Sequence, residues 1–134
     1  MPDHDPQMLK GALSLLLLHL LSAQEDYGYS IVVRLQDHGF GDLSEGTVYP
    51  ALTRLESQGL LAAHLVRSTS GPARKYYRPT AAGHAEMARA GRMWHHLVAT
   101  VAQIVPLPQD TPPSQATPVV EIAPASETAE RTFP

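Results

Sequence analysis

Between Leu9 and Arg78 the spacing of the apolar residues changes once, from helical to extended, and that change narrows the possible folds more than any other feature. Leu9 to Leu21 is apolar nearly all round, which predicts a helix buried on most sides. Tyr27 to His38 places Tyr27, Ile31 and Leu35 at i, i+4 and i+8 and stops at Gly39, with Gly41 just beyond. A third helix lies between Ser44 and Gln58, with Val48, Leu52 and Leu55 on one face and Gly59 as its terminator. Pro50 has no N–H, so either Thr47 is the effective cap or a start at Ser44 is distorted. Leu60 to Arg67 is then strand-like, Ser68-Thr69-Ser70-Gly71-Pro72 has turn composition, and Ala73 to Arg78 returns as a second strand. Thr80 can cap a last helix running to about Val105, where Pro106 and Pro108 prevent continuation.

A chain of 134 residues allows one small domain. With no cysteine it has no disulfide framework, thiolate nucleophile or Cys-type metal site, a pattern that suits a reducing compartment. The apolar run Ala12 to Leu21 falls short of the roughly 20 residues that cross a bilayer. Asp3 and Asp5 precede it against a single Lys10, unlike the basic start of a signal peptide, so the expectation is a cytoplasmic chain with no membrane partner. Residues 106–134 hold seven prolines among Thr, Ser, Ala and Gln and are expected to be a disordered Pro-rich tail, either solvated or a recognition segment. Net charge is −3 for the whole chain, yet residues 10–105 carry nine Lys/Arg against seven Asp/Glu, a net +2. Such a small excess matters only if its positions are right.

Three short helices followed by a two-stranded hairpin is the order of a winged helix-turn-helix, whose third helix enters the major groove while the hairpin reaches the flanking backbone. With Val48, Leu52 and Leu55 inward, the third helix turns Gly46, Pro50, Thr53, Arg54 and Ser57 outward, with Thr47 and Tyr49 at the sides. Gly46 permits close backbone approach, and the positive helix end beside Ser44 and Thr47 suits a phosphate. Arg54 can read guanine or hold a phosphate; equally, it can be a surface charge near Glu56 and Gln58. The hairpin concentrates Arg74, Lys75, Tyr76, Tyr77 and Arg78. Strand alternation puts Arg74, Tyr76 and Arg78 on one face and Lys75 and Tyr77 on the other, so one set can face phosphates while the other packs on the helices. The competing reading buries both tyrosines and leaves the charges solvated.

These residues resemble the PadR transcriptional regulators. The resemblance rests on Leu9-Lys10-Gly11, Tyr27-Gly28-Tyr29, the string Leu43-Ser44-Glu45-Gly46-Thr47-Val48-Tyr49-Pro50-Ala51-Leu52, Arg54-Leu55-Glu56, Gly59-Leu60, Arg74-Lys75-Tyr76-Tyr77-Arg78 and Thr80-Ala81-Ala82-Gly83. It implies a homodimeric repressor that binds double-stranded DNA at a roughly palindromic operator and is released by a small molecule. The candidate DNA contacts are Lys10, Ser44, Gly46, Thr47, Tyr49, Pro50, Thr53, Arg54, Arg74, Lys75 and Tyr76. Pro79 stands where an apolar residue, often leucine, is common, which predicts a shortened wing end. A single helix after the wing resembles the short form of the family.

Along that helix Met87, Ala90, Trp94, Leu97, Val101 and Ile104 repeat at 3, 4, 3, 4, 3, the spacing of a seam against another helix. About 25 residues make a rod of roughly 38 Å, too long for a three-helix domain to cover, so the seam predicts a second subunit and a dimer interface. In short PadR proteins this interface can enclose a flat hydrophobic ligand. Trp94, with Met93 and Leu97, is then the candidate effector contact, or simply packing. His84, His95 and His96 lack the i, i+4 spacing of a metal pair, so neither metal nor cofactor is expected. No Gly-x-Ser-x-Gly elbow, phosphate-cradling loop or spaced carboxylate pair suggests an enzyme. The expected fold is mainly α with a small β-hairpin: 1–8 disordered, 9–79 a winged helix-turn-helix, and 80–105 a C-terminal dimerisation helix. The alternative function is a protein-interaction module of the same fold that does not bind DNA directly.

Overall fold

The leucine-rich first segment forms helix α1 (Pro6–Ala23), and a computed structural model of the protein describes residues 4–106 and 108. The helix starts earlier than the sequence reading placed it, because Asp5 caps it: its Oδ1 accepts from the backbone N–H groups of Gln7 and Met8, at 2.8 and 3.3 Å, and Pro6 occupies the first turn. Residues 6–8 are therefore helical rather than part of a disordered N-terminus. The expected tail from residue 106 lies, Pro106 and Pro108 apart, outside the described residues.

After α1 come β1 (Asp26–Tyr27), α2 (Gly28–Asp37), α3 (Glu45–Ser57), β2 (Leu61–Val66), β3 (Arg74–Pro79) and α4 (Ala81–Ile104). Leu13, Leu17, Leu18 and Leu21 of α1 meet Ile31, Val32 and Leu35 of α2 and Val48, Ala51, Leu52 and Leu55 of α3 in one core. Leu61 and Tyr77 close it from the sheet. Each fully buried leucine contributes about 2 kcal/mol through loss of apolar surface to water. By length and composition α1 could span a bilayer, but these four leucines are spent on this core.

Glycine-terminated ends close α2 ahead of α3 and α3 ahead of β2. At the end of α2 the Gly39 N–H donates to the Gln36 carbonyl and the Phe40 N–H to Leu35; at the end of α3 Gly59 donates to Glu56 and Leu60 to Leu55. Both are Schellman closures, and both need the positive φ of Gly39 (107°) and Gly59 (77°). The start of α3 resolves to Ser44, whose carbonyl accepts from the N–H groups of Thr47 and Val48. Pro50 thus sits inside the helix and leaves the Gly46 carbonyl without its usual donor.

The hairpin gains a third strand that the sequence reading did not include, giving the antiparallel order β1-β3-β2. Two residues, Asp26 and Tyr27, pair with Tyr77 and Tyr76. Pro79 does not shorten the wing: it is the last position of β3, opposite Leu61, where the ladder ends and its missing N–H costs nothing. Thr80 then joins wing to helix. Its N–H donates to the Leu60 carbonyl, its hydroxyl donates to the Gly59 carbonyl at 2.6 Å, and its Oγ1 accepts the Gly83 N–H at 3.0 Å.

The chain divides into two compact units between His96 and Leu97, a boundary that falls inside α4 rather than at its start. Met87 packs against the core, and Gly83 is buried, so the first turns of α4 belong with the winged unit. In the second unit Leu97, Val98, Val101 and Ile104 are exposed, Ile104 at 81%.

Candidate nucleic-acid interface

Burying Val48, Ala51, Leu52 and Leu55 leaves α3 only one face for solvent, and the remaining side chains follow from the 100° turn per residue. Ser44, Gly46, Thr47, Tyr49, Pro50, Thr53 and Arg54 are all exposed, as the sequence pattern requires. Tyr49 and Thr53 line one groove and Thr47, Pro50 and Arg54 another, one on each flank of the helix, while Ser44 and Gly46 line neither.

On the wing flank, a groove of about 410 Å³ is lined by Tyr49 and Thr53 of α3, Arg74, Lys75 and Tyr77 of β3, and Tyr27, Gly28 and Tyr29 at the start of α2. The Arg74 guanidinium lies 4.5 Å from the centre of the Tyr27 ring, a cation–π contact that orients it. Lys75 is held at 2.8 Å by Glu56 Oε1, and this partner keeps its ammonium group above the ordinary pKa. Partial burial, reinforced by the Glu45 carboxylate, likewise pushes up the Tyr49 phenol, which stays a protonated donor at neutral pH. On the other flank Lys10, Thr47, Pro50 and Arg54 line a groove of about 540 Å³ against Leu9 and Leu13 of α1. Arg54 leans back towards Ser14, with Nη2 3.5 Å from its hydroxyl oxygen.

Of the two tyrosine readings, each describes one residue. Tyr77 is core, 8% exposed, whereas Tyr76 lies half-buried on the outer sheet face between Tyr27 and His64, with ring centres 5.3 and 6.2 Å away. Tyr76 lines neither groove and is the one proposed DNA contact on the wing that the structure separates from the others. Tyr27, Tyr29 and Glu56 were missing from the candidate contacts. Their positions read as a helix start and a surface charge, and only folding brings the two tyrosines beside α3 and β3, and Glu56 beside β3.

Gly28 has a role that spacing could not reveal. A Cβ there would stand 2.6 Å from Tyr49 Cε1, so the glycine makes room for the ring. Gly28→Ala should leave melting within a few degrees of the parent, because the ring can swing away, while displacing Tyr49 into the groove and, on the DNA-binding reading proposed below, weakening that binding; thermal melting and a DNA titration read the two effects separately.

Of the proposed effector contacts, Trp94 lines a groove. It is a largely apolar groove of about 460 Å³ bounded by Trp94, by Met8, Leu9, Ala12, Leu15 and Leu16 of α1, and by Phe40; Met93 and Leu97 are exposed. Of the proposed seam, Met87 is turned to its own core and Ala90 is partly covered, leaving Trp94, Leu97, Val101 and Ile104 exposed. Among the described residues no three His, Asp or Glu side chains converge on a common point.

Residues 17–89 match the PadR-like family of transcriptional regulators. The chain belongs to that family. This PadR-like chain is 37% identical over 92 residues to the transcriptional regulator Rv3488 of Mycobacterium tuberculosis, covering 69% of this chain and 84% of that one. Among solved structures it is similar to a PadR-like transcriptional regulator from Bacillus cereus, with a TM-score of 0.68 and 36% identity over 76% of this chain and 99% of that one. A PadR family transcriptional regulator from Eggerthella lenta gives the same TM-score at 37% identity, over 76% of this chain and 89% of that one. The PadR-like family is one of transcriptional regulators, not enzymes. Its matched span, 17–89, takes in the last seven residues of α1, all of α2, α3 and the wing, and the start of α4, and so contains the whole wing-flank groove and all of the other groove's lining except that from α1.

Proposed function

We propose that this PadR-like chain is a cytoplasmic, homodimeric repressor that sets α3 in the major groove of a palindromic operator, with its wing along the adjacent backbone, and that a small hydrophobic or aromatic effector releases it. The observation carrying this reading is the convergence of Tyr49 and Thr53 of α3 with Arg74 and Lys75 of β3 around one open groove, beside an outward ridge of small and hydroxylated residues. Such a surface offers donors to base edges and cations to phosphates at once. The dimer is supported by Trp94, Leu97, Val101 and Ile104, a row of exposed apolar side chains on one helix that water does not favour. The groove at Trp94 has the volume and lining of a small-molecule site.

Selection of duplex fragments by the purified protein tests the reading. Two half-sites related by a dyad and spaced by about one turn, roughly 34 Å, are expected, with affinity falling steeply as salt rises. Arg54→Ala should weaken binding by about 1–3 kcal/mol and relax preference at one base pair if it reads guanine, or weaken all sequences alike if it holds phosphate. No enriched sequence and no salt dependence would instead favour a protein-interaction module.

A further inference from the structure

Lys75 reaches from β3 to α3, where Glu56 Oε1 holds its ammonium group at 2.8 Å. The pair is open to water: the two side chains keep 49% and 33% of their surface exposed. An exposed pair adds little to folding stability. The wing does not depend on it, since β3 is anchored by Tyr77 in the core and by its ladder with β2 from Val66↔Arg74 to Leu61↔Pro79. What Glu56 does change is charge. It places a carboxylate beside the groove formed by α3 and the wing and neutralises one of the two cations that β3 contributes there.

We propose that Glu56 is an affinity-limiting residue of the DNA interface: it holds the Lys75 ammonium in an ion pair both in the free protein and beside DNA, so that Lys75 is withheld from the backbone phosphates and makes such a contact only when that carboxylate is removed. This rests on the DNA-binding reading above. Once the carboxylate is gone, the half-exposed Lys75 needs only a rotamer change to reach a phosphate. Because phosphates carry no sequence information, Glu56 sets overall affinity and salt dependence, not base preference.

The test compares the full chain with Glu56→Gln, Lys75→Gln and the double variant, titrated on a selected operator duplex and on an unrelated duplex from about 50 to 200 mM salt. Glu56→Gln should bind both duplexes about three- to tenfold more tightly, with a salt slope steeper by about 0.9, one added phosphate contact. The double variant should return to the parent slope. Unchanged or weaker binding by Glu56→Gln, or an equal effect of Lys75→Gln in both backgrounds, overturns the inference. So does a melting temperature lowered by more than about 5 °C, which would make the pair a structural clamp. A parent that binds neither duplex overturns the DNA-binding reading as well; a parent that binds while Glu56→Gln leaves the slope unchanged overturns this inference alone.

Discussion

Asp26→Ala is expected to lower the free energy of unfolding by about 3 kcal/mol, enough to leave a domain of this size largely unfolded at the parent's melting temperature. Asp26 is 6% exposed, and both of its carboxylate oxygens accept hydrogen bonds. Oδ1 accepts the Tyr27 N–H at 3.0 Å, and Oδ2 accepts both the Ser30 hydroxyl at 2.6 Å and Arg34 Nη1 at 3.2 Å. Arg34 in turn donates Nη1 to the Gln24 carbonyl and Nη2 to the Leu20 carbonyl, tying the end of α1 to α2. Removing the carboxylate leaves a guanidinium, about a quarter exposed, without its counter-charge, and an unpaired charge near the core costs far more than the pair contributes. β1 is lost with it, and with β1 the register that sets Tyr27 against Tyr76 and Arg74. Urea unfolding followed by circular dichroism measures the change. A loss below about 1 kcal/mol would mean that water replaces the carboxylate and that the network does not hold β1 in place.

Gly83→Ala should cost about 3 kcal/mol for a different reason. A Cβ at this position would run into the backbone carbonyl oxygen of Leu60 and press on Pro79, and neither can rotate away as a side-chain tip can. The first turn of α4 would have to lift off the wing, breaking the Thr80 hydrogen bonds to Gly59 and Gly83. Gly91→Ala is the matched control on the same helix: its Cβ would meet His19 Nε2 at an ordinary 3.8 Å, and better helix propensity should stabilise the chain by up to about 1 kcal/mol. Thermal melting of the two variants should therefore shift in opposite directions. Equal shifts would show that α4 does not press on the β2 entry.

Much of the interface could be read before folding because a helix obeys one rule. Once Val48, Leu52 and Leu55 are assigned to the core, the 3.6-residue period turns Pro50, Thr53 and Arg54 outward with no further information, and the structure agrees. The glycines at 39 and 59 were equally legible, since few other residues adopt a positive φ at a helix end. Strands are less explicit. The alternation of Arg74 to Arg78 separates two faces but does not say which one meets the helices, and only the structure shows Tyr77 in the core and Tyr76 outside it.

β1 was illegible because two residues carry no period, and its formation depends on β3, nearly fifty positions further along the chain. The Lys75–Glu56 pair was hidden for the same reason: nothing local relates positions 56 and 75 until the hairpin folds back beside α3. Sequence alone determined the order of the helices and the hairpin, the ends of α2 and α3 and the polar character of the exposed face of α3, since each depends on neighbours within one or two turns. Only the tertiary structure decided which cations are free, which glycines make room for a ring or a carbonyl, and where Asp26 is neutralised. Those contacts join residues far apart in the chain, and the energy of a charge or a void depends on everything that surrounds it.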